Sequence, residues 1–310
     1  MGWYILKRIV QTIPVIVFAT LIIYALVFLR PGDPVLNLFG DKPVSEATRA
    51  TIESQYNLDK PFIVQWLLFL KGAVTFDFGT SFSGQPVIDQ IQRAFPVSVT
   101  LALMAVAFEA VFAIIIGTYA GIRRGGWFDG VSLVVSLVIV AVPIFVIGFL
   151  FQIFIGIKAG IDWLPATVGG DWTVTDLIMP AIVLGLTSLA FAMRLTRGSV
   201  SENLAADHVR TARAKGLSEG KVVRNHVLRN SLIPVVTFLG ADLGTLMAGA
   251  IVTEGIFNIP GIGGLAYSAI LKGESPTIVS VVTLMVLIYV VMSLLVDLLY
   301  AWLDPRIRYA

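Results

Sequence analysis

Three acidic residues, Glu109, Asp242 and Asp297, stand inside long apolar runs, and the only two histidines are His208 and His226. An ionised carboxylate within a bilayer is costly unless paired or hydrated, so such residues mark either a polar path or a buried contact. Glu109 and Asp242 each lie roughly a dozen residues from the end of their run, near the midplane at about 1.5 Å per residue. They can line a translocation path and meet a cationic group, or they can be protonated or hydrogen-bonded between helices. Asp297 sits near the end of its run and is expected to pair with a neighbour. The histidines share one polar connection at a spacing poorly suited to a metal site, so they read as surface or docking residues. Cysteine is absent, which removes disulfides, thiolate ligands and cysteine nucleophiles. No HExxH, GxSxG or GxxxxGK[ST] occurs either, so little supports an intramembrane hydrolase and no Walker A loop is present.

The charged residues are unevenly spread. Between 210 and 234, RTARAKGLSEGKVVRNHVLRNSLIP, the basic residues Arg210, Arg213, Lys215, Lys221, Arg224 and Arg229 face a single acid, Glu219, while the formal net charge of the whole chain is only +2. Such a sum argues against nucleic acid as a partner and moves attention to where the charges sit. Arg210 to Lys215 reads as a helix end: Gly216 can take the left-handed conformation after it, and basic side chains suit the negative end of the helix dipole. Ser218 can cap a second helix, on which Val222, Val223 and Val227 share one face. Charge alone fits a topogenic loop. The apolar stripe and the glycine break fit a docking element for a partner.

Positioning these residues is the task of a membrane fold. A hydrophobic share of 57% with 14% charged residues lies far from the roughly one quarter charged of soluble domains. A membrane helix needs about 20 apolar residues, and runs of that kind occupy 9–29, 97–121, 131–157, 177–195, 232–253 and 279–302. The reading is an all-α polytopic membrane protein with six transmembrane helices. Basic residues are retained on the cytoplasmic side. Placing both termini there collects Lys7, Arg8, Arg123, Arg124, Arg194, Arg197, the basic cluster, Arg306 and Arg308 on one side. The chain then divides into the cytoplasmic N-terminus and first helix (1–29), an external membrane-edge cap (30–95), a five-helix core (96–302) carrying the cytoplasmic segment 197–230, and a cytoplasmic tail (303–310). Within the cap, Ser45 to Tyr56 reads as a surface helix. FIVQWLLFLKG at 62–72 is too short to span and is placed along the interface, its tryptophan at headgroup depth. In the last external connection, EGIFNIPGIGGLAYSAI, Pro260, Gly261, Gly263 and Gly264 are expected to make tight turns before a short helix. No internal repeat of the kind that marks many secondary transporters is visible.

Several ordered motifs at comparable spacing carry a resemblance that covers nearly the whole chain: RPGDP at 30–34, NLDKPFIVQW at 57–66, FDFGTSF at 76–82, QPVIDQI at 85–91, RTARAKGL at 210–217, EGIFNIPGIGGL at 254–265 and DPRIRY at 304–309. The sequence resembles the inner-membrane permease subunits of binding-protein-dependent ABC importers, in the dipeptide and oligopeptide branch. The resemblance implies a type I ABC importer permease fold in the bacterial cytoplasmic membrane. It implies import of short peptides by alternating access, with nickel, glutathione or haem as alternative cargo within the branch. Partners implied are a second homologous permease, two ATP-hydrolysing subunits that carry ATP and Mg, an external substrate-binding protein and membrane lipid; the chain itself needs no cofactor and is not an enzyme. Arg210, Thr211, Ala212, Arg213, Ala214, Lys215, Gly216 and Leu217 occupy the place of the family's coupling loop, although the glutamate and first alanine of the general pattern are missing. A proton-coupled secondary transporter using Glu109 and Asp242 is the rival reading.

Overall fold

The computed structural model describes residues 2–29, 45–161 and 163–303; the RPGDP and DPRIRY motifs and residues 304–310 of the tail lie outside them. Helix α1 (Gly2–Phe28) is followed by α2 (Glu46–Gln55), α3 (Phe62–Val74) and the long α4 (Val87–Ile122). Next come α5 (Trp127–Ala141), α6 (Ile144–Phe151, continued by a wide turn Gln152–Lys158) and α7 (Ile178–Leu204). The basic segment forms α8 (Asp207–Ala214) and α9 (Glu219–Val222), which runs through a wide turn into α10 (Arg229–Gly249). The short α11 (Ile251–Ile256) and α12 (Ile262–Lys272) precede α13 (Ser275–Leu303). Among the described residues, five helices are long and apolar enough to cross a membrane, or six when the bent pair α5–α6 counts as one span.

That pair bends by 98°, so the run 131–157 is interrupted where the sequence suggested continuity. Pro143 is the cause. It has no amide hydrogen, and its ring pushes the preceding residue out of the helical region; Val142 is accordingly extended at φ −87°, ψ 126°.

The spine of the fold is α4 against α7, the most extensive helix pair. A lipid environment supplies little hydrophobic drive between helices, so close packing of small residues does the holding. Ala105, Ala113, Ala120 and Ala192 are fully buried here. A Cβ on Gly117 would lie 2.6 Å from the Met193 carbonyl oxygen, and one on Gly121 would lie 2.8 Å from that of Arg197. Helices α10 and α13 pack as a second pair, and α1 lies on α13. Helix α1 leaves Ile9, Ile13, Phe18, Ile22 and Leu26 exposed.

Helix α3 lies against α1. Trp66, expected at headgroup depth, is buried within the chain and donates from Nε1 to Thr20 Oγ1 at 3.4 Å, while Tyr24 packs on Phe62 and Phe69. An apolar helix beside an apolar partner buries its indole rather than leaving it at the surface. The chain thus gathers residues 76–98, 164–170 and 254–280 at one end, where Phe82 N–H donates to Glu274 and Val168 N–H to Phe257 O. Residues 123–129 and 197–230 gather at the other, the basic end.

Candidate coupling segment and intramembrane polar sites

At the basic end Gly216 has φ +76°. Its N–H donates to Arg213 O at 2.9 Å and Leu217 N–H donates to Ala212 O at 3.4 Å, the paired bonds of a Schellman helix end. Nothing lies within 4 Å of a Cβ built there, so backbone conformation alone requires glycine. Ser218 stands at the expected cap position just before α9, but its side chain makes no capping bond. The two helices are tied instead by Arg213, whose guanidinium donates to Glu219 at 2.8 and 3.1 Å.

Val222 and Val227 are fully buried against Val200, Val209 and Ala212, with Val223 only partly covered. The valine stripe is therefore consumed within the chain, fixing α8 and α9 to the end of α7, and is no open docking surface. The face left exposed carries Arg210, Thr211, Arg213, Ala214, Lys215, Gly216 and Leu217; Ala212 is buried beneath it. His208 and His226 meet here: a ring nitrogen of His208 lies 3.2 Å from the His226 carbonyl oxygen and 3.1 Å from the Asn230 amide nitrogen.

Within the membrane region Glu109 on α4 and Asp242 on α10 are neighbours, although far apart in sequence, with Ser188 of α7 beside Asp242. Neither oxygen of Glu109, nor Oδ2 of Asp242, has a hydrogen bond of good geometry. A cavity of about 330 Å³ opens at the α5–α6 break, lined by residues including Pro143, Leu184, Thr187, Ser188 and Thr245. The acids stand behind its Ser188 wall rather than on it, and Glu109 is wholly buried. Asp297 pairs with Arg8 at 3.2 Å, joining α13 to α1.

Two buried acids were not singled out from the sequence. Asp129 accepts the Gly125 N–H at 2.8 Å and a two-pronged contact from Arg197, whose Nη2 lies 2.7 Å from Oδ2; the pair locks the start of α5 to α7. At the opposite end Glu254, fully buried, accepts the Ser98 hydroxyl at 2.7 Å and the Gly264 N–H at 2.8 Å, and Ser98 Oγ in turn accepts the Ile262 N–H at 2.8 Å. The glycines expected to make turns do something else. None of Gly261, Gly263 and Gly264 has positive φ, and the last two are inside α12. A Cβ on Gly261 would collide with the Glu254 carboxylate and the Ser98 hydroxyl, and one on Gly263 would lie 2.8 Å from the Ile251 backbone. They permit close approach, and the positive φ of this connection falls on Asn258 at +52°.

The described residues thus form a helical membrane protein with two gathered ends and a basic helix–glycine–helix at one of them. The chain belongs to the family described as the binding-protein-dependent transport system inner membrane component, whose profile matches residues 113–309, with the family's N-terminal component matching residues 1–102. It is thus a permease subunit of a binding-protein-dependent ABC importer, in the dipeptide and oligopeptide branch, and a multi-pass protein of the inner membrane. It is 34% identical to the dipeptide transport system permease protein DppB of Alkalihalophilus pseudofirmus, over 99% of both chains. It is 35% identical to the glutathione transport system permease protein GsiC of Shigella flexneri, again over 99% of both. A probable peptide ABC transporter permease protein of Sinorhizobium fredii is 35% identical over the full length of both.

Proposed function

We propose that this chain forms half of a peptide translocation pathway, completed by a second, homologous permease. Two ATP-hydrolysing subunits holding ATP and Mg drive the pair from the cytoplasm, where both termini lie, and an external binding protein delivers the cargo. Short peptides are the cargo this reading favours, on the strength of full-length similarity to dipeptide and peptide permeases. Equal similarity to a glutathione permease makes glutathione, itself a tripeptide-like molecule, the second reading.

The observation that carries the coupling role is the exposed basic face of α8 through Leu217, mounted on α7 by the buried Val200, Val209, Val222 and Val227. A face that is solvent-exposed on one side and close-packed on the other transmits a push from a docked subunit without slack. The cavity at the α5–α6 break supplies hydroxyls at Thr187, Ser188 and Thr245 for a peptide backbone, and the acidic pair behind Ser188 favours a cationic terminus. The test is co-purification of the complex from its native membrane, identification of its subunits, and uptake of labelled dialanine and of glutathione by the reconstituted assembly. Uptake of dialanine that needs ATP and an added binding protein is the expected result. Glutathione uptake alone establishes the second reading, and uptake driven by a proton gradient without ATP refutes both.

A further inference from the structure

A buried polar cluster with its side-chain oxygens satisfied lies far from the coupling segment. Glu254 lies beyond the end of its spanning run, Glu219–Ala248. It holds the connection to α12 on one side by way of Ser98 and the amides of Ile262 and Gly264. On the other side the same connection is tied to residues 166–168. Gln152 Nε2 donates to both Ala166 O and Ile256 O at 2.8 Å, Val168 N–H donates to Phe257 O at 2.7 Å, and Asn258 Nδ2 donates to Val168 O at 3.3 Å. Above the cluster opens a cleft of about 490 Å³, lined by residues including Arg93, Val97, Trp172, Pro260, Gly261 and Gly264. The floor of this cleft is thus the pinned connection itself.

We propose that Glu254 is the positioning residue of a gate at this end of the permease: with Ser98 it clamps residues 257–264 onto α4, and its release frees that segment and the 166–168 connection together. The inference rests on the transport reading and concerns a part of the chain that the coupling argument does not use. A hydroxyl or amide would satisfy the same donors without the cost of burying an ionisable group. The carboxyl makes the closed clamp sensitive to protonation. Burial pushes Glu254 up from 4.5 to about 7, only partly offset by the bonds from Ser98, Gly264 and Gly263. No charged group on the packed elements adds to this, neither Asp89, Arg93 and Glu109 on α4, nor Lys158 after α6, Arg194, Arg197 and Glu202 on α7, nor Lys272 on α12. The sign follows from linkage. A clamp in which the group holds its proton up to about 7, against 4.5 when opened to water, is fully stabilised below the lower value and loses that stabilisation as pH rises through the upper one.

Hydrogen exchange on the intact complex in nanodiscs tests this, because it requires no transported substrate. Wild-type protection of the 257–266 segment, corrected for intrinsic exchange, is expected to fall as pH rises from 5 to 8, by up to roughly tenfold per pH unit below 7. Glu254→Gln should hold the segment protected and flat with pH. Ser98→Ala should lower protection roughly tenfold or more, having removed the Ser98 bond to the Glu254 carboxyl and orphaned the buried Ile262 amide. In reconstituted uptake of dialanine, Glu254→Gln is expected to lower the maximal rate severalfold with KM little changed, and to flatten its pH profile. A pH-independent wild-type segment, or a Glu254→Gln protein that follows the wild-type profile, overturns the proposal. Should dialanine not be carried at all, the peptide reading fails while the exchange profile still decides the clamp.

Discussion

Gly216 offers the sharpest separation of backbone conformation from surface contact. Its φ of +76° lies in the left-handed region, and a Cβ there meets nothing within 4 Å, so substitution within the isolated chain penalises conformation only. That penalty is about 1–2 kcal/mol for an ordinary L-residue, is smaller for asparagine, and is largest for a β-branched one. Such an energy shifts a local equilibrium by roughly 5- to 30-fold. It leaves a bundle of this size folded but unseats the Schellman bonds that fix α8 against α9. The expected series in ATP-coupled uptake is wild type, then Gly216→Asn close behind, then Gly216→Ala, with Gly216→Val lowest by tenfold or so, at equal amounts of assembled complex. Stimulation of ATP hydrolysis by the binding protein should fall in the same order. Equal loss in the asparagine and valine variants refutes the argument, since only contact of this position with a partner penalises both alike.

Removing Asp129 leaves Arg197 facing a protein interior, so Asp129→Ala should lower the melting temperature of the purified complex by several degrees; the Asp129→Leu/Arg197→Met double variant should recover most of the loss, because an apolar pair replaces an ionic one. With no native cysteine to interfere, Ser83→Cys should react with a membrane-impermeant maleimide on spheroplasts and Ser218→Cys should not, and the reverse pattern refutes the orientation. Glu109→Gln and Asp242→Asn should slow uptake of free-amine dipeptides more than of N-acetylated ones if the pair acts on the cargo's cationic end. Equal loss for both substrates, measured at unchanged assembly, assigns the pair to helix packing.

What the sequence disclosed was local. The glycine break after Lys215 was legible because a Schellman end is made within a few residues, and the valine stripe because helical spacing is intrinsic to one segment. The stripe's partner was not: Val200 and Val209 lie on other elements, and only the folded chain brings them under Val222 and Val227. Glu254 escaped notice for the same reason. It follows an apolar run and opens a Gly- and Pro-rich stretch, which reads as a loop, whereas its burial is decided by Ser98, 156 residues earlier. A signal was present in that stretch, since glycines in excess of what a turn needs imply close approach to something. Pro143, in the middle of an apolar run, was likewise a readable warning of the 98° bend. The acids at 109 and 242 were found by their rarity in apolar surroundings, but their pairing required α4 and α10 to be placed side by side.

The positions of these polar contacts bear on how the molecule could move. Helix α4 extends from Ser98, which meets Glu254, down to Gly121, against which α7 packs just before the Asp129–Arg197 lock. Between those points the α4–α7 interface brings backbones into near contact at Gly117, Gly121 and Gly185, with larger apolar side chains filling the spaces between, and such an interface has no room to slide by small increments. A displacement applied to the exposed face of α8 enters α7 through Val200 and Val209. Helix α7 is about 40 Å long at 1.5 Å per residue, and α4 must move with it. The fold then has two places to yield. One is the bend at Pro143, where the main-chain ladder is already interrupted. The other is the Glu254 contact, where α4 is joined to the α11–α12 region by the Ser98 hydrogen bonds. If the basic segment couples to a partner and Glu254 clamps as proposed, motion started at the basic end reaches the opposite end as a pull on Ser98, and the two, separated by most of the length of α4, are then expected to answer to one another in transport.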